Sequence, residues 1–273
     1  MSDDTTAAPV SSEAPASAYS WYVLGVLVVV YILNFIDRQI LSILAVDIKR
    51  DLDLTDGQLG FLGGAAFAVF YALFGVPLGR LADRWHRVRL LTIGLLLWST
   101  MTALSGLARN YLTLSLARMG VGVGEATASP TAYSLISDYF PSRQRATALA
   151  IYSSGLYLGG GVSLLIGAKI SQVWDAAYPG GGMGGLVGWQ AAFMAVGIPG
   201  VLLALLVASL REPVRQPDAA SGTRHPLADF FVDLSMLLPP FTLLHALRRG
   251  PMAALVNAAM AAAMTGFALL MIE

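Results

Sequence analysis

Asp37 and Arg38 stand side by side inside an apolar run, flanked by VVVYILNFI and QILSILAV, with Asn34 one helical turn before Asp37. A second acid and base, Arg118 and Glu125, lie seven residues apart in another apolar stretch. On a helix that spacing puts them on one face, about 10 Å apart along the axis, with Gly122 between them. An ionisable group in hydrocarbon needs a partner, a water-filled cavity or a function. Two chemistries fit this set. The four groups can form structural ion pairs, for instance Asp37 with Arg118 and Glu125 with Arg38. Alternatively, burial disfavours the charged form of a carboxylate, which suits Asp37 or Glu125 to carry a proton while the arginines hold an anionic group or tune those acids.

The elements that position these residues follow from composition. Of 273 residues 56% are hydrophobic and 12% charged, which is outside the range of a soluble domain and makes lipid the main solvent. Net charge is zero and the arginines sit in short clusters, so nucleic acid is not expected as a partner. The absence of cysteine removes disulfides, thiolate chemistry and Cys-ligated zinc. The three histidines fall in predicted loops without metal-ligand spacing. No G-x-S-x-G occurs, and neither Lys49 nor Lys169 belongs to a phosphate-binding loop. Gly180, Gly182 and Gly185 match G-x-G-x-x-G but follow no strand, so residues 178–188 read as a flexible outer loop. No enzyme activity, metal or cofactor is expected.

A helix crossing the hydrocarbon needs about 20 mostly apolar residues. Seven segments qualify: 21–46, 59–81, 90–108, 112–139, 146–170, 189–210 and 252–272. Residues 1–20 read as a disordered tail, since residues 1–18 are rich in Ser, Ala and Pro and carry no basic residue. Basic residues in short loops set orientation. Eleven arginines (80, 84, 87, 89, 143, 145, 211, 215, 224, 248 and 249) fall on one side, against Lys49, Arg50, Arg109 and Lys169 on the other. The N-terminus is therefore expected in the cytoplasm, and the protein in the plasma (inner) membrane. The expected organisation is a six-helix bundle over 21–213, a cytoplasmic linker over 214–250 and a seventh helix over 251–273. Within the linker, Leu227, Phe230, Phe231 and Leu234 recur at helical spacing, with Asp229 and Asp233 elsewhere on the turn. That pattern fits an interfacial helix broken by Pro239 and Pro240, or a packed linker with no membrane role.

Spans 1 and 4 each carry one acid and one base, as expected if spans 1–3 and 4–6 are inverted repeats lining a shared cavity. Small residues recur every fourth position in span 5 (Gly155, Gly159, Ser163, Gly167) and in span 2 (Gly60, Gly64, Ala68, Ala72), a pattern that lets helices approach closely. After span 2, GRLADRWHRVRLL places Gly79 at a helix end, with Asp83 as an acceptor near several arginines. Arg84 and Arg87 can bind carbonyls at helix C-termini, so the segment, together with Arg143 and Arg145 after span 4, could act as a conformational latch besides fixing topology.

These segments resemble the major facilitator superfamily. GRLADRWHR is similar to the family's G-x-x-x-D-R-x-G-R signature after span 2, and RMGVGVGEA, from Arg118 to Ala126, to its R-x-x-x-G-x-G signature in span 4. Further matches are DYFPSRQRATALA, with Arg143 and Arg145, and GWQAAF and LREP around span 6. NFIDRQIL with GVGEA looks most like the spinster-like branch. The resemblance implies an all-α transmembrane fold, a proton-coupling acid in each of these two segments, and lipid-like or amphipathic anionic substrates for some members. It also implies a proton-coupled transporter of a small organic or amphipathic anion, with the lipid bilayer, protons and that anion as partners. His86 departs from the signature's usual Gly, Gln190 follows Trp189 where Arg is common, and span 5 lacks the proline typical of antiporters. The family has twelve spans in two halves. This chain holds one half plus a helix, so a truncated product or fragment is expected, dependent on the missing C-terminal half or a partner chain; the alternative to a transporter is a truncated, non-transporting membrane protein that needs a partner half.

Overall fold

Each long apolar run becomes a helix because lipid offers backbone amides no partner outside the chain. The structure, a computed structural model, describes residues 14–214, 226–237, 242, 246–248 and 250–270. Crossing 1 is α1 (Ala18–Ile43), continued by the short α2 (Ala45–Asp51). Crossing 2 runs through α3 (Asp56–Gly60), a π-helical turn (Phe61–Ala65) and α4 (Ala66–Arg84). Crossing 3 is α5 (Arg87–Ser105), and crossing 4 combines α6 (Tyr111–Glu125) with α7 (Ala128–Tyr139). Crossings 5 and 6 are α8 (Ser142–Ala177) and α9 (Gly188–Ala208). Beyond them lie α10 (Pro226–Leu237) and α11 (Pro251–Leu270).

Local chemistry sets several boundaries away from where hydropathy puts them. The tail expected to reach residue 20 ends sooner: Ser17 caps α1 by accepting from the Ser20 amide at 3.1 Å, and the Ala16 amide donates to Gln144 at 3.0 Å. Crossing 2 starts three residues early on a capping box between Thr55 and Gln58. The span expected over 112–139 is two helices. Pro130 has no amide hydrogen for the Ala126 carbonyl, and the Thr127 hydroxyl turns back to the Gly124 carbonyl at 2.8 Å. α8 extends past 146–170 at both ends, its 36 residues reaching about 54 Å. The loop over 178–188 is built rather than loose: the Trp174 indole donates to the Leu186 carbonyl at 2.8 Å and the Gly188 amide to Asp175 at 2.7 Å.

The packing obeys a two-fold exchange. α1 lies on α8, α4 on α6 and α7, and α5 on α9. Exchanging crossings 1, 2 and 3 with 4, 5 and 6 turns the first contact into the second and leaves the third unchanged, the pattern of two inverted three-helix repeats. The α1–α8 seam is the small-residue stripe of span 5. A Cβ added at Gly159 would sit 2.6 Å from the Ile32 carbonyl oxygen and 2.7 Å from Phe35 Cβ. The same addition would lie 3.1 Å from Tyr31 at Gly155 and 3.3 Å from Ile43 at Gly167. The stripe of crossing 2 does not pack in this way: Gly60, Gly64, Ala68 and Ala72 are exposed, and nothing lies within 4 Å of a Cβ at either glycine.

The linker helix is docked rather than lying free. Phe230 packs with Leu78, Leu81, Ala82 and Leu90, while Arg80 pairs with Asp233 and Arg84 with Asp229, both at 2.7 Å. An i,i+4 pair of arginines on α4 thus meets an i,i+4 pair of aspartates on α10. The break expected at Pro239 and Pro240 lies outside the described residues. Since exposed pairs contribute roughly 0.2–1 kcal/mol each, Asp229→Asn/Asp233→Asn should raise amide exchange across α10 about three- to tenfold and leave α5 and α9 unchanged. Hydrogen-exchange mass spectrometry reads this directly, and unaltered α10 exchange would mean that Phe230 alone holds the helix.

Candidate functional site

The acid–base set of crossings 1 and 4 meets in the middle of the bundle. α1 turns Asn34 and Asp37 inward, and α6 brings Arg118 and Glu125 to the same place; their exposures are 1%, 2%, 2% and 0%. Gly122 allows this approach, because a Cβ there would sit 2.6 Å from the Phe67 carbonyl of α4. Gly124 packs its backbone on Trp98 and Gly94 of α5 in the same way.

Only part of the set is paired. Arg38 Nε donates to Glu125 Oε2 at 2.8 Å. Asp37 and Arg118 do not form the side-chain pair that one sequence reading allowed: Arg118 Nη2 reaches only the Asp37 carbonyl oxygen, at 3.4 Å. Asp37 Oδ1, Glu125 Oε1, Arg118 Nε and Nη1 and Asn34 Nδ2 are buried without a hydrogen bond, as are Thr102 Oγ1 and Ser115 Oγ. Thr102 neighbours the Asp37 carboxyl and Asn34 that of Glu125, though neither makes a well-formed bond to it. Buried polar groups are normally satisfied, so this concentration of open donors and acceptors sets the region apart from the surrounding helix packing.

Arg38 differs from the other charged members because 28% of its side chain is exposed. Its guanidinium carbon stands 5.4 Å from the ring centre of Phe35, 4.9 Å from Phe67 and 4.7 Å from Tyr71. Sequence reasoning missed these rings, although Tyr31 and Phe35 precede Arg38 by seven and three residues on one face. Phe67 and Tyr71 come from crossing 2 and carry no such local signal.

A second charged cluster lies at the arginine-rich end. Arg87 is 1% exposed. Its Nε donates to Glu212 Oε1 at 2.8 Å, and Nη1 donates to the Ser134 hydroxyl at 3.1 Å and to Asp138. It also reaches two carbonyls, Ser134 at 3.4 Å and Pro213 at 3.3 Å. Glu212 Oε2 in turn accepts from the Val88 amide at the start of α5, at 2.8 Å. One guanidinium therefore ties α5, α7 and the segment after α9 together. The other residues read from this region divide. Arg84 binds Asp229 rather than a carbonyl; Arg145 Nε donates to the Phe140 carbonyl at 3.0 Å. Arg143 and Asp83 are exposed, and Asp83 makes no ion pair among the described residues. Gly79 is not a tight approach, a Cβ there lying 3.9 Å from Pro130 Cβ. At the other end Gln190 bridges the Val187 amide and the Ala108 carbonyl at 3.2 and 3.0 Å. It lines an open cavity of about 770 Å³ with Asp51 and Arg109, remote from the buried acids.

Membrane-length apolar helices, inverted three-helix repeats and a buried acid–base centre define an integral membrane protein of the secondary-transporter architecture. The chain belongs to the major facilitator superfamily: the Major Facilitator Superfamily profile matches residues 27–272. It is 35% identical over 196 residues to an MFS-type efflux pump of Mycolicibacterium smegmatis, covering 71% of this chain and 43% of that protein. It is 29% identical over 174 residues to a probable L-galactonate transporter of Escherichia coli, covering 64% and 35%. Among solved structures it is similar to a bacterial homolog of the human lysosomal transporter spinster, inward-facing and unoccupied. There the TM-score is 0.70 at 38% identity, over 76% of this chain and 47% of that one. The chain spans less than half the length of each of these proteins.

Proposed function

We propose that this chain forms the N-terminal six-helix half of a proton-coupled transporter of a small organic or amphipathic anion, working by alternating access with a second half that completes the cavity. The observation that carries the reading is the buried centre, where Asp37 Oδ1 and Glu125 Oε1 each accept no hydrogen bond although two arginines stand beside them. A structural ion-pair network would satisfy these atoms. An acid that takes up and releases a proton during a cycle needs an oxygen that is not committed to the fold.

Arg38 links proton and substrate in this reading. Its Nε is held by Glu125 and Tyr71 neighbours the guanidinium, while the 28% of the side chain that is exposed lets an anion approach it. Anion and Glu125 compete for one guanidinium, so a proton on Glu125 releases Arg38 to the substrate. Asp37 and Arg118 place opposite charges deeper in the bundle without a side-chain hydrogen bond between them, and Thr102 and Asn34 supply hydroxyl and amide groups that can follow the change in charge. Arg87, with Arg84 and Arg145, holds the arginine-rich end as a rigid unit while the halves rock. The surplus of basic residues at that end supports a cytoplasmic N-terminus in the plasma (inner) membrane. The naming of one relative for a sugar acid supports an anionic substrate.

The test uses the full-length protein in proteoliposomes with an interior pH dye. A set of sugar-acid and amphipathic anions is added outside, and substrate-dependent pH change is recorded. At least one anion is expected to move protons saturably. Anion transport with no pH change at any gradient would remove proton coupling, and transport of neutral solutes alone would remove the anion.

A further inference from the structure

The partly exposed Arg38 guanidinium sits against Phe35, Phe67 and Tyr71, and Phe35 continues into a row of aromatic rings. Tyr31 meets Phe35 edge-on at 5.1 Å and stacks on Tyr152 at 4.4 Å; Tyr133 meets Tyr152 edge-on at 5.6 Å. Tyr152 is 1% exposed and forms the fixed back of the wall, whereas Tyr133 is 44% exposed and Tyr31 is half-buried. Tyr31 is also within electrostatic range of Arg38, Tyr71 and Tyr133. The close α1–α8 contact at Gly155 and Gly159 sets Tyr31 and Phe35 in this register.

The polar groups lie elsewhere. Asn34, Asp37 and Glu125 are buried, none more than 2% exposed, so ring faces and phenol hydroxyls, rather than that amide and those carboxylates, are the accessible groups named around the cation. A polyhydroxylated acid placed there would leave most of its hydroxyls without partners. A flat apolar ring would join the existing stacked and edge-on pairs with matching electrostatics.

We propose that Tyr31 and Tyr133 set the selectivity of the anion site, receiving the planar body of an aryl carboxylate whose carboxylate group is bound by Arg38. This rests on the reading of Arg38 as the anion-holding group. The rings fix which anion is taken, and Arg38 fixes that an anion is taken.

Isothermal titration of the full-length protein in detergent, with phenylacetate and D-galactonate as probes, separates the two roles. Phenylacetate is expected to bind about tenfold more tightly than galactonate. Tyr133→Ala and Tyr31→Leu should each weaken phenylacetate by about three- to tenfold with galactonate changed less than about twofold. Tyr133→Phe, which keeps the ring, should stay near wild type and controls for folding. Arg38→Met should remove both probes. Tyrosine variants that melt as wild type yet bind phenylacetate unchanged, or a wild type that prefers galactonate, overturn the aryl selectivity while Arg38→Met still reports on the anion site. Unchanged binding in Arg38→Met overturns the underlying reading and the proposal with it.

Discussion

Arg87→Met is expected to cost about 3–5 kcal/mol of stability, the range for breaking a buried charge network by removing one partner. The substitution keeps the volume but strands Asp138 and Glu212, and it removes hydrogen bonds that join α5, α7 and the segment after α9. Arg87 is 1% exposed, but the Asp138 and Glu212 side chains are 36% and 25% exposed, so water replaces part of the lost donors and the cost falls at the low end of that range. Arg87→Lys restores the charge but not the fork, and should recover less than half of the loss, because a single ammonium cannot reach Glu212, Ser134 and Asp138 together. In purified protein the apparent melting temperature should fall by about 10 °C or more for Met and by less for Lys. A Met variant melting within about 2 °C of wild type would show that the network adds little to the fold.

Arg38→Met is expected to weaken binding of the transported anion by about 100-fold, since truncating one partner of a close charge pair typically costs 2–5 kcal/mol. The fold should tolerate the change better than it tolerates Arg87→Met, because the side chain is 28% exposed and its aromatic neighbours accept a thioether. The loss leaves Glu125 without its donor. Adding Glu125→Gln to Arg38→Met should therefore regain stability without regaining affinity, a coupling that a double-mutant cycle measures. If the single variant binds the anion as wild type does, Arg38 is a structural partner of Glu125 and nothing more.

Much of the architecture was legible because lipid imposes it. Apolar runs bounded by charge, Pro or Gly gave the crossings, and Asp37, Arg38, Arg118 and Glu125 stood out because nothing apolar explains them. What hydropathy averages over was not legible. It reads 112–139 as one span, since a missing amide at Pro130 and the turned hydroxyl of Thr127 change hydrogen bonding without changing hydrophobicity. A four-residue period of small side chains appears in crossings 2 and 5 alike, yet only in crossing 5 does that stripe face a partner helix among the described residues. Long-range pairing was the other gap. Arg87 finds Glu212 across 125 positions, and no local pattern announces that. The matched i,i+4 spacing of Arg80 and Arg84 with Asp229 and Asp233 was visible in the sequence, but the aspartates also fit the polar side of an interfacial helix. The wall around Arg38 is mixed: Tyr31 and Phe35 share its helix face, whereas Phe67, Tyr71, Tyr133 and Tyr152 arrive only through packing.

In the proposed cycle Asp37 and Glu125, each with one carboxylate oxygen that accepts no hydrogen bond, couple proton movement to anion movement. Comparing two modes of transport in the same proteoliposomes tests it most directly: exchange of labelled for unlabelled anion, which needs no net proton movement, and accumulation driven by a pH gradient. With Glu125→Gln, and separately with Asp37→Asn, at least one variant is expected to keep exchange within about threefold of wild type while losing accumulation by about 100-fold. Variants that keep both modes would show the two acids to be structural, and would contradict the account.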